Sequence, residues 1–301
     1  MLPAFPPVSR RGLLAASLTA AAPAGAQPVD LRQRLARLRC GVNLERWFPV
    51  ARDNHPRRLG RAWWRELRGA GFDHARLIVP AAGQELFGWF HDAIEDAMAA
   101  GMPVLLALQD IVHQGSPESR DWDGLAARAR FFGARTDPAM VVLAPVNEPA
   151  FERTETWLPV RDRMLATLRA AAPRHLLMWG GREWNSIRSL PDLAPPADPW
   201  TIAEVHDYGG GTAREVRDRF APAIAWRERH GIPVICAEYN GSGTKQQRRE
   251  QWIEDLRVGL PVLQSLNLPA TLWSYSHGGW YRLQPEDGPA PYPEVRRLLA
   301  A

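Results

Sequence analysis

A single-domain (β/α)8 barrel, the TIM-barrel class of α/β fold, is the architecture this sequence predicts, and three features predict it. Eight short apolar runs are spaced between residues 40 and 274. Amphipathic stretches of helical period separate most of them. Polar and aromatic residues collect at the far ends of the runs, where a barrel keeps its chemistry.

The candidate strands are Cys40–Leu44, Phe72–Val79, Val104–Leu108, Met140–Val146, His175–Trp179, Thr201–His206, Val234–Glu238 and Ala270–Ser274. Most are near-continuous apolar runs, the pattern of strands covered on both faces. Helical periodicity predicts Leu59–Ala70, Glu85–Ala100, Asp121–Ala134, Thr156–Ala172, Ala213–His230 and Lys245–Leu266, with Pro293–Leu299 closing the series. Gly71, Gly101 and Gly231 stand where helices end, a place that favours a left-handed residue. The alternation is read as eight βα units with no linker, so residues 27–301 form one domain. A doubly wound open sheet is the competing architecture. It carries a glycine-rich phosphate turn after its first strand, and Gly41-Val42-Asn43-Leu44 supplies none.

Residues 1–26 read as a cleavable signal peptide rather than as part of the fold. Ser9-Arg10-Arg11-Gly12-Leu13-Leu14 opens an alanine-rich apolar run, and Ala24-Gly25-Ala26 supplies small residues at a cleavage site. The paired arginines specify the twin-arginine type, with a general secretion signal or an uncleaved anchor as competing readings. The run falls short of the ~20 residues that span a bilayer. The mature chain is therefore expected to be exported, periplasmic or secreted, with no membrane attachment, and to act as a monomer. Its formal charge of +4 drops to +2 once Arg10 and Arg11 are removed (4 − 2 = 2). The 37 basic residues are dispersed among 33 acids without a basic stripe, which argues against nucleic acid as a partner. Thirteen tryptophans invite two explanations, core filling and stacking beneath sugar rings. The two cysteines, Cys40 and Cys236, fall in strands that are not sequence neighbours and are read as buried thiols rather than a disulfide.

Read in order, the strand ends are Asn43, Arg76, Gln109, Asn147-Glu148, Trp184, His206-Asp207-Tyr208, Glu238 and Trp273. Glu148 and Glu238 end the fourth and seventh strands, nearly opposite in an eight-stranded ring. Two opposed carboxyls are what glycoside hydrolysis needs: one protonates the leaving oxygen, the other attacks the anomeric carbon. A separation of about 5–5.5 Å makes such a pair retaining and about 6.5–9.5 Å makes it inverting. The pair must differ in protonation. Arg76 beside Glu238 is expected to favour a charged nucleophile, and burial with a negative neighbour to keep Glu148 protonated. No His/Asp/Glu grouping has metal-ligand spacing, and there is no phosphate loop or Gly-x-Ser-x-Gly elbow, so neither metal nor cofactor is expected.

Several of these segments resemble glycoside hydrolase family 5, the cellulase family. Val141–Pro149 is similar to its Asn-Glu-Pro acid/base strand, and Gly41–Leu44 with Trp47-Phe48 to its opening segment. Gly71–Leu77 resembles the strand whose arginine holds the nucleophile, and Gly180–Asn185 the loop after strand five. Glu204–Tyr208 carries a His-x-Tyr pair, Pro233–Asn240 resembles the nucleophile strand, and Trp273 the strand-eight platform. The resemblance implies a retaining enzyme with Glu148 as acid/base and Glu238 as nucleophile. It further implies Asn147 on the sugar 2-hydroxyl, Arg76 and Tyr208 on Glu238, His206 orienting substrate and Glu148, and Trp273 under the sugar. Asn43, Gln109 and Trp184 complete the candidate site. Gln109 departs from the pattern, since the family places a histidine there; His113, four residues on, is the substitute to consider. The substrate implied first is a β-1,4-glucan. β-Mannan, β-1,3-glucan, exo-acting glucosidase action, transglycosylation and a non-catalytic carbohydrate-binding barrel are the alternatives.

Overall fold

The computed structural model describes residues 31, 34–44, 59–79, 86–241, 248–275, 282–285 and 288–300. The signal segment 1–26, Trp47-Phe48 and Lys245 lie outside the described residues, so the readings placed on them stay expectations.

The chain opens with β1 (Cys40–Asn43), α1 (Arg61–Gly69), β2 (Ala75–Ile78), α2 (Phe87–Ala99) and β3 (Val104–Ala107). Next come β4 (Ile111–His113), α3 (Trp122–Arg135), β5 (Val141–Ala144), β6 (Glu148–Ala150), α4 (Thr154–Ala171) and β7 (Leu176–Gly180). The chain ends with β8 (Thr201–Asp207), α5 (Ala213–His230), β9 (Val234–Tyr239), α6 (Arg249–Ser265), β10 (Ala270–Leu272) and α7 (Pro293–Leu299). Eight parallel strands close into a barrel in the order β1-β10-β9-β8-β7-β5-β3-β2. Strands β4 and β6 form a separate parallel pair, with Ile111 opposite Glu148.

Three expectations are corrected here. The second strand covers Ala75–Ile78 only; Phe72 is buried in the turn before it. The fourth barrel strand stops at Ala144, because Pro145 has no N–H to continue the ladder, and Glu148 belongs to β6 rather than to the end of that strand. The fifth unit has no α-helix: after β7 the chain makes only a 3-10 turn at Ile187–Ser189. Pro191, Pro195, Pro196 and Pro199 follow in quick succession and remove the amide donors a helix would need.

The core has two layers. Inside the barrel Leu105, Ala107, Val142, Ala144, Leu176, Met178, Ile202 and Ile235 pack together, with Leu38 closing the base. Between strands and helices lies a larger apolar shell that contains the fully buried Trp64, Trp157, Trp179, Trp226 and Trp252. These tryptophans are core filler. Cys40 and Cys236 are free. Both are in register with Ala270 of the intervening β10, so they stand two strand spacings apart, roughly 9–10 Å and too far for a disulfide.

One irregularity sets up the site. On β9, Ile235 packs inside the barrel and Cys236 outside, so strict alternation would send Glu238 outward. The register shifts by one residue between Val205/Cys236 and His206/Glu238. That bulge turns Glu238 into the barrel beside His206 and puts Tyr239 in the outer shell.

Candidate active site

Glu238 is 2% exposed and held from two sides. Its Oε1 accepts from Arg76 Nη1 at 2.8 Å, and its Oε2 accepts from the Tyr208 hydroxyl. Arg76 is itself buried at the centre of a fan of acceptors. Nη1 also reaches Asn43 Oδ1 at 3.0 Å, and Nη2 reaches Asn147 Oδ1 at 2.6 Å and Glu204 Oε2 at 3.2 Å. A guanidinium suits this place because its fixed planar donors serve several carboxylates and amides at once. Burial opposes the charge on Arg76, but Glu204, Glu238 and Glu148 outweigh it and push its pKa above the ordinary value. Burial and the adjacent Glu238 charge hold the Tyr208 phenol well above its usual range, so it stays a donor. Asn43 spends its amide on Ala237 O at 2.9 Å and Thr271 O at 3.3 Å, which makes it a brace for Arg76 rather than a ligand group.

The opposite wall carries Glu148, whose side chain is 19% exposed. Its Oε1 is 3.0 Å from His206 Nδ1, and the same nitrogen is 3.6 Å from Glu238 Oε2. One atom each from Glu148, His206 and Glu238 lie within 4.8 Å of one another, so the two carboxyls face each other across a narrow gap. The loop after β7 is stitched to this wall. Trp184 N donates to Pro149 O at 2.9 Å, Asn185 Nδ2 to Asn147 O at 2.6 Å, and His206 N to Asn185 O at 2.7 Å. Trp184 and Asn185 both adopt the left-handed conformation, with φ of 48° and 54°. For a bulky residue this is a costly geometry, on the order of 1–3 kcal/mol. The result is a half-exposed indole presented on the loop that carries Pro149's partner. Gly180 permits it, because a Cβ there would stand 2.1 Å from Asn185 Oδ1.

Trp273 sits just past β10, half-buried, its carbonyl accepting from Asn240 Nδ2 at 2.6 Å. Gln109 is 6% exposed at the end of β3, and neither atom of its amide has a hydrogen-bond partner. His113 lies exposed on β4, paired with Ala150 beyond Glu148, and so does not take the buried place of Gln109 at the end of β3. The structure thus brings Asn43, Arg76, Asn147, Glu148, His206, Tyr208 and Glu238 into one hydrogen-bonded cluster. Gln109, Trp184 and Trp273 stand around it.

The sequence model of the family described as Cellulase (glycosyl hydrolase family 5) matches residues 64–279. The chain belongs to glycosyl hydrolase family 5. Endoglucanase H of Acetivibrio thermocellus is 27% identical over 109 residues, an alignment covering 31% of this chain and 12% of that protein. The chain therefore spans a small fraction of that relative's length. Among solved structures, the endoglucanase Cel5A of the hyperthermophilic Thermotoga maritima aligns with a TM-score of 0.75 at 15% identity, over 89% of this chain and 98% of that one. The cellulose synthase subunit Z of Clostridioides difficile aligns with a TM-score of 0.73 at 14% identity, over 88% of this chain and 100% of that one. The broad specificity endoglucanase from Clostridum cellulovorans gives 0.74 at 14% identity, over 89% and 95%. At these identities the structures establish the shared fold, and the family match establishes a cellulase-like glycoside hydrolase.

This family 5 enzyme also holds its site together through residues that sequence reading did not select. Asp110 accepts from Asn147 Nδ2 at 3.1 Å, and Asn185 fixes the Asn147 backbone. Arg219 grips Asp207 at 2.9 Å and anchors the start of the loop that begins with Tyr208. Glu204 is fully buried under His206. Its signal was present, since an acid two residues before His206 on a strand shares its inward face.

Burial works against a charge on His206, but Glu238 and hydrogen bonds to Glu148 and Glu204 outweigh burial and Arg76, raising its pKa from 6.5 to about 9. A base whose folded pKa is raised stabilises the fold fully below its unfolded value and loses that contribution as pH climbs through the folded one. The melting temperature of the wild type is expected to fall between about pH 6.5 and 9 relative to His206→Asn. Parallel calorimetric scans across that window check this; a constant offset between the two proteins would count against a charged His206.

Proposed function

We propose that this enzyme hydrolyses β-linked glucan with retention of anomeric configuration, by double displacement. The observation that carries the reading is the face-to-face placement of Glu148 and Glu238, with oxygens inside 4.8 Å, which suits the narrow spacing of retaining pairs. In the first step Glu238 attacks the anomeric carbon while Glu148 passes a proton to the departing oxygen. A covalent glycosyl-enzyme forms on Glu238. In the second step Glu148 removes a proton from water, which attacks the same carbon and releases Glu238. Arg76 and Tyr208 hold the nucleophile's two oxygens so that it approaches in one orientation. His206 orients Glu148. Asn147 is proposed to take the sugar 2-hydroxyl, Gln109 a further hydroxyl, and Trp184 and Trp273 the apolar faces of the rings.

The endo-β-1,4-glucanase reading is supported by the family and by the endoglucanases that share the fold. Thermotoga maritima Cel5A is described in complex with cellobiose and with mannotriose, so β-mannan belongs in the same test. Reducing-sugar release from β-1,4-glucan, β-1,3-glucan and β-mannan, with NMR of the first-formed anomer, decides. Release of the β-anomer from the β-1,4-glucan is the expected outcome. An α-anomer would overturn retention, and release from mannan alone would reassign the substrate. We further propose export through the twin-arginine route, followed by action as a monomer outside the cytoplasm. Cell fractionation of wild type and an Arg10/Arg11→Lys variant tests it, the variant being expected to stay in the cytoplasm. No helix among the described residues is long and apolar enough to cross a membrane.

A further inference from the structure

Among the described residues three carboxylates face His206, and the proposed reaction uses two of them. The third, Glu204, sits on β8 one inward position deeper than His206 and is fully buried. Its Oε2 is 3.2 Å from Arg76 Nη2 and 3.7 Å from His206 Nε2, while its Oε1 has no hydrogen-bond partner. A carboxylate is a poor choice for filling such space. It loses its hydration, and with one oxygen unsatisfied the loss is not made good by hydrogen bonds. What its charge does for its neighbours must offset that cost.

The groups facing His206 come from four elements. Arg76 from β2 places Nη2 3.4 Å from Nε2 and opposes a second positive charge there. Glu148 from β6 and Glu238 from β9 both face Nδ1. Glu204 comes from the histidine's own strand and faces Nε2, while Tyr208, in the loop after that strand, is bonded to Glu238. In the proposed cycle Glu148 and Glu238 each lose their charge once, one on protonation and the other on glycosylation. Glu204 is fully buried and takes no part in either step.

We propose that Glu204 is a positioning residue that keeps His206 in the imidazolium form, so that a cationic Nδ1–H is donated to Glu148 throughout the cycle. This rests on the double-displacement reading for its catalytic consequence. A cationic donor favours the ionised Glu148 left behind when its proton goes to the leaving oxygen. It also separates Glu148 from Glu238 electrostatically while the nucleophile is free. The neutral alternative leaves Arg76 Nη2 donating to Nε2, with Nδ1–H still on Glu148; the hydrogen bond is the same and the charge is absent.

The test is the titration of the His206 imidazole nitrogens by NMR in the full chain, assigned with His206→Asn, alongside the pH profile of kcat/KM. In the wild type the midpoint is expected above pH 8. Glu204→Gln is expected to lower it by at least about one pH unit and to move the basic limb of kcat/KM with it. Glu204→Asp, which keeps the charge, is expected to remain near the wild type. A midpoint equal in wild type and Glu204→Gln overturns the proposal. So does a uniform fall in kcat with both limbs in place, which is what a packing role gives. Should Glu204→Gln not fold, the wild type and Glu204→Asp decide, since a neutral His206 at pH 7 in either also overturns it. The titration needs no substrate, so a chain inactive on every β-glycan refutes the proposed reaction and leaves this outcome readable.

Discussion

Glu238→Gln is expected to remove activity by a factor of at least about 10⁴ while leaving the fold intact, the size of loss seen when a covalent nucleophile is deleted. Glutamine keeps the shape of the side chain and an oxygen for Arg76, so the loss reads the missing nucleophile and not a collapsed site. Glu148→Gln is expected to lose about 10²–10⁴-fold, as for removal of a general acid–base group, and less on aryl glycosides whose leaving group needs no proton. Azide separates the two roles. With Glu148→Ala and an activated aryl β-glycoside, azide should attack the glycosyl-enzyme and give a β-glycosyl azide. With Glu238→Gly, azide takes the place of the carboxylate and gives the α-glycosyl azide. Chromatography and NMR of the products distinguish them, and the same anomer from both variants would overturn the assignment.

The largest loss of stability is expected from Arg76→Met. The wild-type guanidinium is 1% exposed and touches Glu238, Glu204, Asn147 and Asn43. Methionine fills part of the volume and leaves two buried carboxylates without their counter-charge. Breaking a buried ion pair from one side costs about 3–5 kcal/mol. For a domain of this size each kcal/mol lowers Tm by about 2–4 °C, so a fall of about 6–20 °C is expected by calorimetry. The deficit should shrink as pH drops and the stranded carboxylates take up protons. Arg76→Lys is expected to recover little, because one ammonium group does not reach four acceptors in a fixed plane. A change under 1 °C at neutral pH would mean that the cluster is solvated rather than buried.

The barrel was legible because its strands are apolar on both faces, and that pattern survives without any long-range information. The same plainness hid the bulge in β9. Val234-Ile235-Cys236-Ala237-Glu238-Tyr239 carries no alternation from which an inward or outward glutamate can be read, and only pairing with β8 settles it. The two carboxylates were legible from their position after apolar runs. That Glu148 stands on its own short strand was not, although Pro145 marks the place where the ladder must break. The absence of a helix after β7 was legible, since no helical period runs between the fifth and sixth strands and four prolines stand within nine residues, 191–199. In the sequence Glu204 is one letter between apolar neighbours in a strand. Its role depends on what the far side of the barrel presents to it, and Arg76 lies 128 residues away in sequence.

The pairing of β4 with β6 gives the two carboxylates of the proposed mechanism unequal footing. Glu238 belongs to the closed ring, whose curvature is set by all eight strands together. Glu148 belongs to a two-stranded ledge resting on the rim, tied down by Asn185 and by the backbone at Pro149. Small changes in that ledge, at Ile111 or in the Trp184 loop, can therefore widen or narrow the distance the sugar must bridge without disturbing the ring beneath. The reach between the proposed acid and nucleophile is an adjustable dimension in a molecule whose frame is not.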